Sequence, residues 1–119
     1  MTAHAAILAA SRPAVSVLDF PREKIISFLS EKLQSAGLRE AYIIGSFAEN
    51  RCRAWSDIDL IIVRETTRPF IERAQDFLNL YDLGIPLDIL VYTPEEFSHL
   101  LQSSNGFWHG VRKNRLRIL

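Results

Sequence analysis

Residues 45–60 read Gly45-Ser46-Phe47-Ala48-Glu49-Asn50-Arg51-Cys52-Arg53-Ala54-Trp55-Ser56-Asp57-Ile58-Asp59-Leu60, and the chain continues with Ile61-Ile62-Val63. The β-branched weight of its last third predicts a strand over residues 57–63. Residues two apart in a strand share a face, about 6.6 Å apart along the chain. Asp57 and Asp59 therefore stand side by side, while Ile58, Leu60 and Ile62 take the opposite face and build core. Two carboxylates at the start of an apolar strand repel each other and resist burial. A hard divalent cation between them removes that conflict.

Working outward, residues 41–44 form a short apolar run that predicts a buried strand ending at Gly45-Ser46. Glycine lets backbone approach a phosphate closely, and N–H groups at a helix start attract anions. The Ser46 hydroxyl can donate a further hydrogen bond. Residues 47–56 have room for one or two helical turns. Upstream, Ile25, Ile26, Phe28, Leu29 and Leu33 recur at helical spacing over 22–36, with Pro21 as a first helical residue and Gly37 as a stop. Downstream, residues 69–83 predict a second amphipathic helix carrying Phe70, Ile71, Ala74, Phe77, Leu78 and Tyr81, ended by Gly84. A third strand is expected over 86–92, where Asp88 is the one charge among apolar neighbours. If it lies beside the first aspartate strand, three carboxylates converge. Thr93, Pro94 and Glu96 then start a helix that runs to about residue 102. A short helical turn over 106–113 and an edge strand over 115–119 complete the order. The fold class is α/β (α+β), a small mixed β-sheet with helices packed on it.

The 119 residues suit one domain, with 48% apolar and 24% charged residues, an ordinary globular mix. Residues 1–20 are expected to be a loosely held N-terminal extension or a short extra helix, and 21–119 the domain. The first positive charge, Arg12, follows the alanine-rich stretch instead of preceding it, which weighs against a secretory signal. The single cysteine, Cys52, excludes an internal disulfide and fits a reducing cytoplasm. No apolar run approaches the roughly 20 residues of a membrane span. Formal net charge is zero, which weighs against nucleic acid as a partner. His4, His99 and His109 have no metal-site spacing, and Trp55 and Trp108 are expected to be packing residues, with Trp55 close enough to the motif to touch a base.

Gly45-Ser46, ten residues, then Asp57-Ile58-Asp59, with Asp88 on a later strand, resembles the signature of the DNA polymerase beta nucleotidyltransferase superfamily. The similarity is greatest to its smallest members, the minimal nucleotidyltransferases, over nearly all of residues 22–119, including the tail Asn105-Gly106-Phe107-Trp108. The resemblance implies a nucleotidyltransferase fold and transfer of AMP, or another NMP, from ATP or another nucleoside triphosphate to an acceptor hydroxyl. It implies Mg2+ or Mn2+ held by Asp57, Asp59 and Asp88, which are then both catalytic and metal-binding, with Asp88 helping to deprotonate the acceptor. Gly45 and Ser46 would hold the outer phosphates. Many relatives carry Ala-Arg-Gly where this chain has Ala48-Glu49-Asn50, so Arg51 or Arg53 is expected to supply the missing positive charge to the nucleotide.

At this length the chain is not expected to hold the helical domain that larger relatives use for their acceptor. By the same resemblance, the expected partner is a separate HEPN-type toxin protein, which the chain would neutralise as an antitoxin by adenylylating it. An oligomer is left open. The rival reading is a catalytically weak or inactive module that neutralises its partner by contact alone. For the aspartates the bland alternative is strand-end carboxylates in solvent or ion pairs. For Gly45-Ser46 it is a plain turn, and for Arg51, Arg53 and the basic tail of Arg112, Lys113, Arg115 and Arg117 it is a solvated face.

Overall fold

The computed structural model describes residues 13–119; the expectations for residues 1–12 lie outside them. Helix α1, Arg22–Ser35, turns Ile25, Leu29 and Leu33 into the core. Pro21 stands just before its first turn instead of inside it. Gly37, at φ +85°, lets the chain leave in a left-handed turn. There the Leu38 N–H donates to the Leu33 carbonyl and the Gly37 N–H to that of Gln34, satisfying two helix-end carbonyls.

Strand β1, Ala41–Ile44, is buried at all four positions. It leads directly into α2, the single turn Gly45–Ala48. Strand β2, Ile58–Val63, and strand β3, Leu87–Tyr92, are joined by a crossover segment, Phe70–Leu83. Helices α3, Pro94–Leu100, and α4, Gly106–Lys113, follow, and β4, Leu116–Arg117, closes the sheet. The sheet order is β3-β2-β1-β4; β2 and β3 run parallel, and the other pairs are antiparallel. This is the expected mixed sheet with helices packed on it. Helix α3 starts as the sequence predicts, with Thr93 and Glu96 satisfying each other's backbone N–H groups. Among the described residues no helix is long and apolar enough to cross a membrane.

Alternation along β2 divides the core in two. Ile58, Leu60 and Ile62 join Ile25, Leu29, Leu33 and Phe77 on one face. Ile61 and Val63 join Tyr42, Phe97, Trp108 and Val111 on the other. Within the segment expected to be a loosely held extension, residues 13–20 include Val17, which is buried in the first cluster, and Ser16, whose hydroxyl donates to the Ala54 carbonyl at 2.7 Å.

The crossover departs from expectation. Residues Phe70–Leu83 wind as a 3-10 helix with a break at Phe77, whose φ and ψ are −122° and 27°. Two helical stretches meet at that break, and the buried set is Arg73, Phe77 and Leu80, while Ile71 and Leu78 face solvent. Of the residues expected to face the core, Phe77 is buried and Ala74 half-buried, and Arg73 and Leu80 take the places expected for their neighbours. Arg73 occupies a core-facing position because its guanidinium finds acceptors there: the Arg68 and Val91 carbonyls and the Glu96 carboxylate.

Candidate active site

The sheet places the three aspartates on one face. In the parallel β2–β3 ladder Asp59 is the register partner of Asp88, so their Cα atoms lie on neighbouring strands about 4.8 Å apart. Strand β2 begins one residue later than predicted, at Ile58, whose N–H donates to the Pro86 carbonyl at 2.9 Å. Asp57 thus stands just before the ladder, with the parity of Asp59. Asp57 and Asp88 are exposed and Asp59 is half-buried. Burial, then the charges of Asp57 and Asp88, push the Asp59 carboxyl from 3.8 up to about 6. Among the described residues no three His, Cys, Asp or Glu side chains are already gathered into a ligand shell. The carboxylates share a face and an edge without closing on one point.

Gly45 is tied to this cluster by geometry. Ile44 pairs with Asp59 in the antiparallel β1–β2 ladder, so the next residue passes over the Asp59 carboxylate. Gly45 has φ +73°, and a Cβ there would lie 2.6 Å from Asp59 Oδ2. The positive φ favours glycine, and an added Cβ would have to push the Asp59 carboxylate aside. The turn that follows has no side-chain cap, and its first internal bond is from the Glu49 N–H to the Gly45 carbonyl. The earlier N–H groups of the turn are left for another acceptor. Ser46 Oγ lies 3.7 Å from Cys52 Sγ.

The departure from the family pattern has a defined structure. Asn50 sits at φ 57°, a left-handed conformation that asparagine tolerates and that glycine would take freely. Glu49 is ion-paired with Arg51 and accepts from Asn114 Nδ2 at 3.4 Å. Arg51 is thus engaged by its neighbour. Arg53 holds its guanidinium 5.9 Å from the centre of the Trp55 ring. Trp55 is 60% exposed, contrary to the expected packing role, because the 51–57 loop carries it away from both core clusters. Trp108 is buried as expected. A cation not singled out from the sequence, Arg22, donates to the Phe47 carbonyl and lies 4.3 Å over the Phe47 ring, bracing the turn from below.

A cavity of about 130 Å³ adjoins Asp59. Gly45, Glu49 and Asp59 form one wall; Phe107, Gly110 and Asn114 of the C-terminal helix and its cap form the other. Sequence reasoning missed it, because the two walls lie 48 to 69 positions apart in the chain. The basic tail is engaged in part with backbone: Arg112 donates to the Leu101 and Ser103 carbonyls, and Arg117 to those of Leu119 and Arg39.

No curated protein matches the sequence. Among solved structures, the chain is similar to a toxin–antitoxin crystallised with AMP-PNP, at 18% identity and TM-score 0.57, covering 79% of this chain and 72% of that one. A mutant of the toxin–antitoxin MntA-HpeT is 19% identical with TM-score 0.49, covering 84% and 73%. A candidate nucleotidyltransferase from Sulfolobus solfataricus is 21% identical with TM-score 0.46, covering 66% and 75%. The first of these supports the fold. Residues 23–114, well over half of the chain and including the signature loop and all three aspartates, match the family described as Polymerase beta, Nucleotidyltransferase. The chain belongs to the polymerase beta nucleotidyltransferase family.

Proposed function

We propose that this protein transfers a nucleoside monophosphate, AMP by first choice, from a nucleoside triphosphate to a hydroxyl on a partner protein. The observation that carries the reading is the pairing of Asp59 with Asp88, with Gly45 packed against Asp59, inside the stretch that matches the family. Three carboxylates facing one way, the innermost pushed up to about 6 by burial and by the other two, make a donor set that fits a hard divalent cation. Asp57, Asp59 and Asp88 would hold magnesium or manganese, which when bound neutralises charge on the attacked α-phosphate and the leaving pyrophosphate.

The chain's own groups supply the rest. Gly45 and Ser46 hold the outer phosphates through the uncapped N–H groups of the turn and the serine hydroxyl. The acceptor oxygen bonds to the α-phosphorus as the bond to pyrophosphate breaks. Asp88, exposed on the edge strand, would take the acceptor's proton, a role that rests on the family resemblance. Rate enhancement rests mainly on positioning and charge. Arg51 is a weaker nucleotide contact than Arg53 in this reading, since Glu49 already holds it.

An open face with two exposed aspartates suits an acceptor presented by another protein. The likeness to a toxin–antitoxin crystallised with AMP-PNP supports a partner and a nucleotide together. The partner proposed is a HEPN-type toxin, and the role that of its antitoxin. The contact-only reading draws on one observation: Glu49, at the position where the resemblance implies an arginine, holds Arg51 in an ion pair. The experiment is incubation with magnesium, α-labelled ATP and either the neighbouring gene product or transfer RNA. AMP on the protein neighbour supports the proposal. Label on RNA alone overturns it, and a stable complex without label favours contact-only neutralisation.

A further inference from the structure

We infer that the cavity between the signature loop and the C-terminal helix receives the base of the nucleotide, and that its polar lining selects a purine with an exocyclic amino group. The inference rests on the proposed binding of a nucleoside triphosphate and adds where the base lies and what reads it.

Position comes first. The cavity is walled by the ends of β1 and β2, by the α2 turn and by α4 with the residue after it, Asn114. No residue of β3 lines it, so it opens on the flank of Asp59 away from Asp88. With the acceptor at Asp88, this flank is left to the nucleotide.

Chemistry narrows the occupant. With Asp59 given to the cation and Gly45 to the phosphates, the remaining charged group of the lining is the Glu49 carboxylate, which disfavours phosphate in the part of the space beside α4. Asn114 donates one Nδ2 hydrogen to Glu49 and keeps its Oδ1 acceptor and a second N–H. Glu49 and Asp59 offer only acceptors and Asn114 one more, so acceptors outnumber donors and the matching ligand edge is a donor such as an exocyclic amino group. Ile44 and Val111 supply an apolar floor, and both are buried. The Phe107 ring is 50% exposed and is held at 87° against Trp108, with centroids 5.3 Å apart. It offers a fixed face for stacking a planar base. At Gly110 an added Cβ would meet nothing within 4 Å, so the helix leaves open space where another residue would fill it.

The test is calorimetry on the full chain with magnesium and four probes: ATP, GTP, ITP and inorganic tripolyphosphate. ITP has the purine frame without the amino group. The better bound of ATP and GTP is expected to exceed ITP by about tenfold. Gly110→Leu fills the cavity from a helical position with room for a side chain. It is expected to weaken the preferred nucleotide by about tenfold and to leave tripolyphosphate within about twofold. Glu49→Gln adds a donor and is expected to narrow the gap to ITP. ITP binding as well as both ATP and GTP, or Gly110→Leu leaving nucleotide affinity unchanged, would overturn the inference while nucleotide binding stands. Failure of the wild-type chain to bind any nucleotide or tripolyphosphate would overturn the proposed function along with it.

Discussion

Gly45 lies so close to Asp59 that the carboxylate oxygen occupies the space of its missing side chain: a Cβ would sit 2.6 Å from Asp59 Oδ2. The glycine also has φ +73°, where an L side chain costs about 1–2 kcal/mol. Gly45→Ala must therefore move the carboxylate or the turn. We expect a loss of about 1–2 kcal/mol in stability and, out of proportion to it, loss of magnesium-dependent ATP binding. Thermal melts beside calorimetry check this; ATP affinity equal to wild type would show that the contact has no part in the site.

Asp59→Asn separates function from folding. Burial and the charges of Asp57 and Asp88 both disfavour the ionised form of Asp59. Neutralising it is expected to raise the melting temperature of the metal-free protein and to abolish AMP transfer. Magnesium should then stabilise the variant less than the wild type. Scanning calorimetry with EDTA and with magnesium reads all three states, and a metal-free variant less stable than wild type counts against the electrostatic account.

Arg73 is the buried cation that ties the crossover to the end of β3. It donates to the Arg68 and Val91 carbonyls and pairs with Glu96 at 2.7 Å. Arg73→Ala strands those acceptors and is expected to cost about 2–4 kcal/mol. Chemical denaturation measures it, and a loss near zero would mean that water replaces the guanidinium without penalty.

Glu96 gives that same pair a pH signature. The hydrogen bond from Arg73, then that from the Thr93 N–H, hold its carboxyl below the ordinary value, against a smaller opposing effect of burial. A carboxyl lowered on folding contributes stability that is complete above its unfolded pKa and is lost as pH falls through its folded one. Glu96→Gln should therefore lower the melting temperature at neutral pH. The gap to wild type should begin to close as pH falls below the ordinary carboxyl value and vanish once pH is under the lowered one. A gap that persists in acid would place its cause outside the ion pair.

Trp108 carries the C-terminal helix. It is buried, and its ring meets those of Tyr92, Phe97 and Phe107 edge-on. Trp108→Ala is expected to cost about 3–5 kcal/mol and to loosen the helix that walls the cavity beside Asp59. Equilibrium unfolding and near-ultraviolet circular dichroism follow the two effects, and an unchanged aromatic signal would contradict the packing described.

The sequence alone determined the features that depend on neighbours along the chain. Parity in a strand set Asp57 and Asp59 on one side and Ile58, Leu60 and Ile62 on the other. Gly37 and the Thr93–Glu96 box set helix ends, because those bonds close within a few residues. Only the tertiary structure decided that Asp88 stands beside Asp59, since strand register is set by pairing across 29 positions of chain. It also decided the winding of Phe70–Leu83. Long 3-10 runs are locally unfavourable, so the winding and the break at Phe77 come from docking Arg73, Phe77 and Leu80, which leaves Ile71 and Leu78 in solvent. The cavity belongs to the same class: Gly45 and Gly110 form its walls because β1 and α4 fold against one another, a relation that no local pattern encodes.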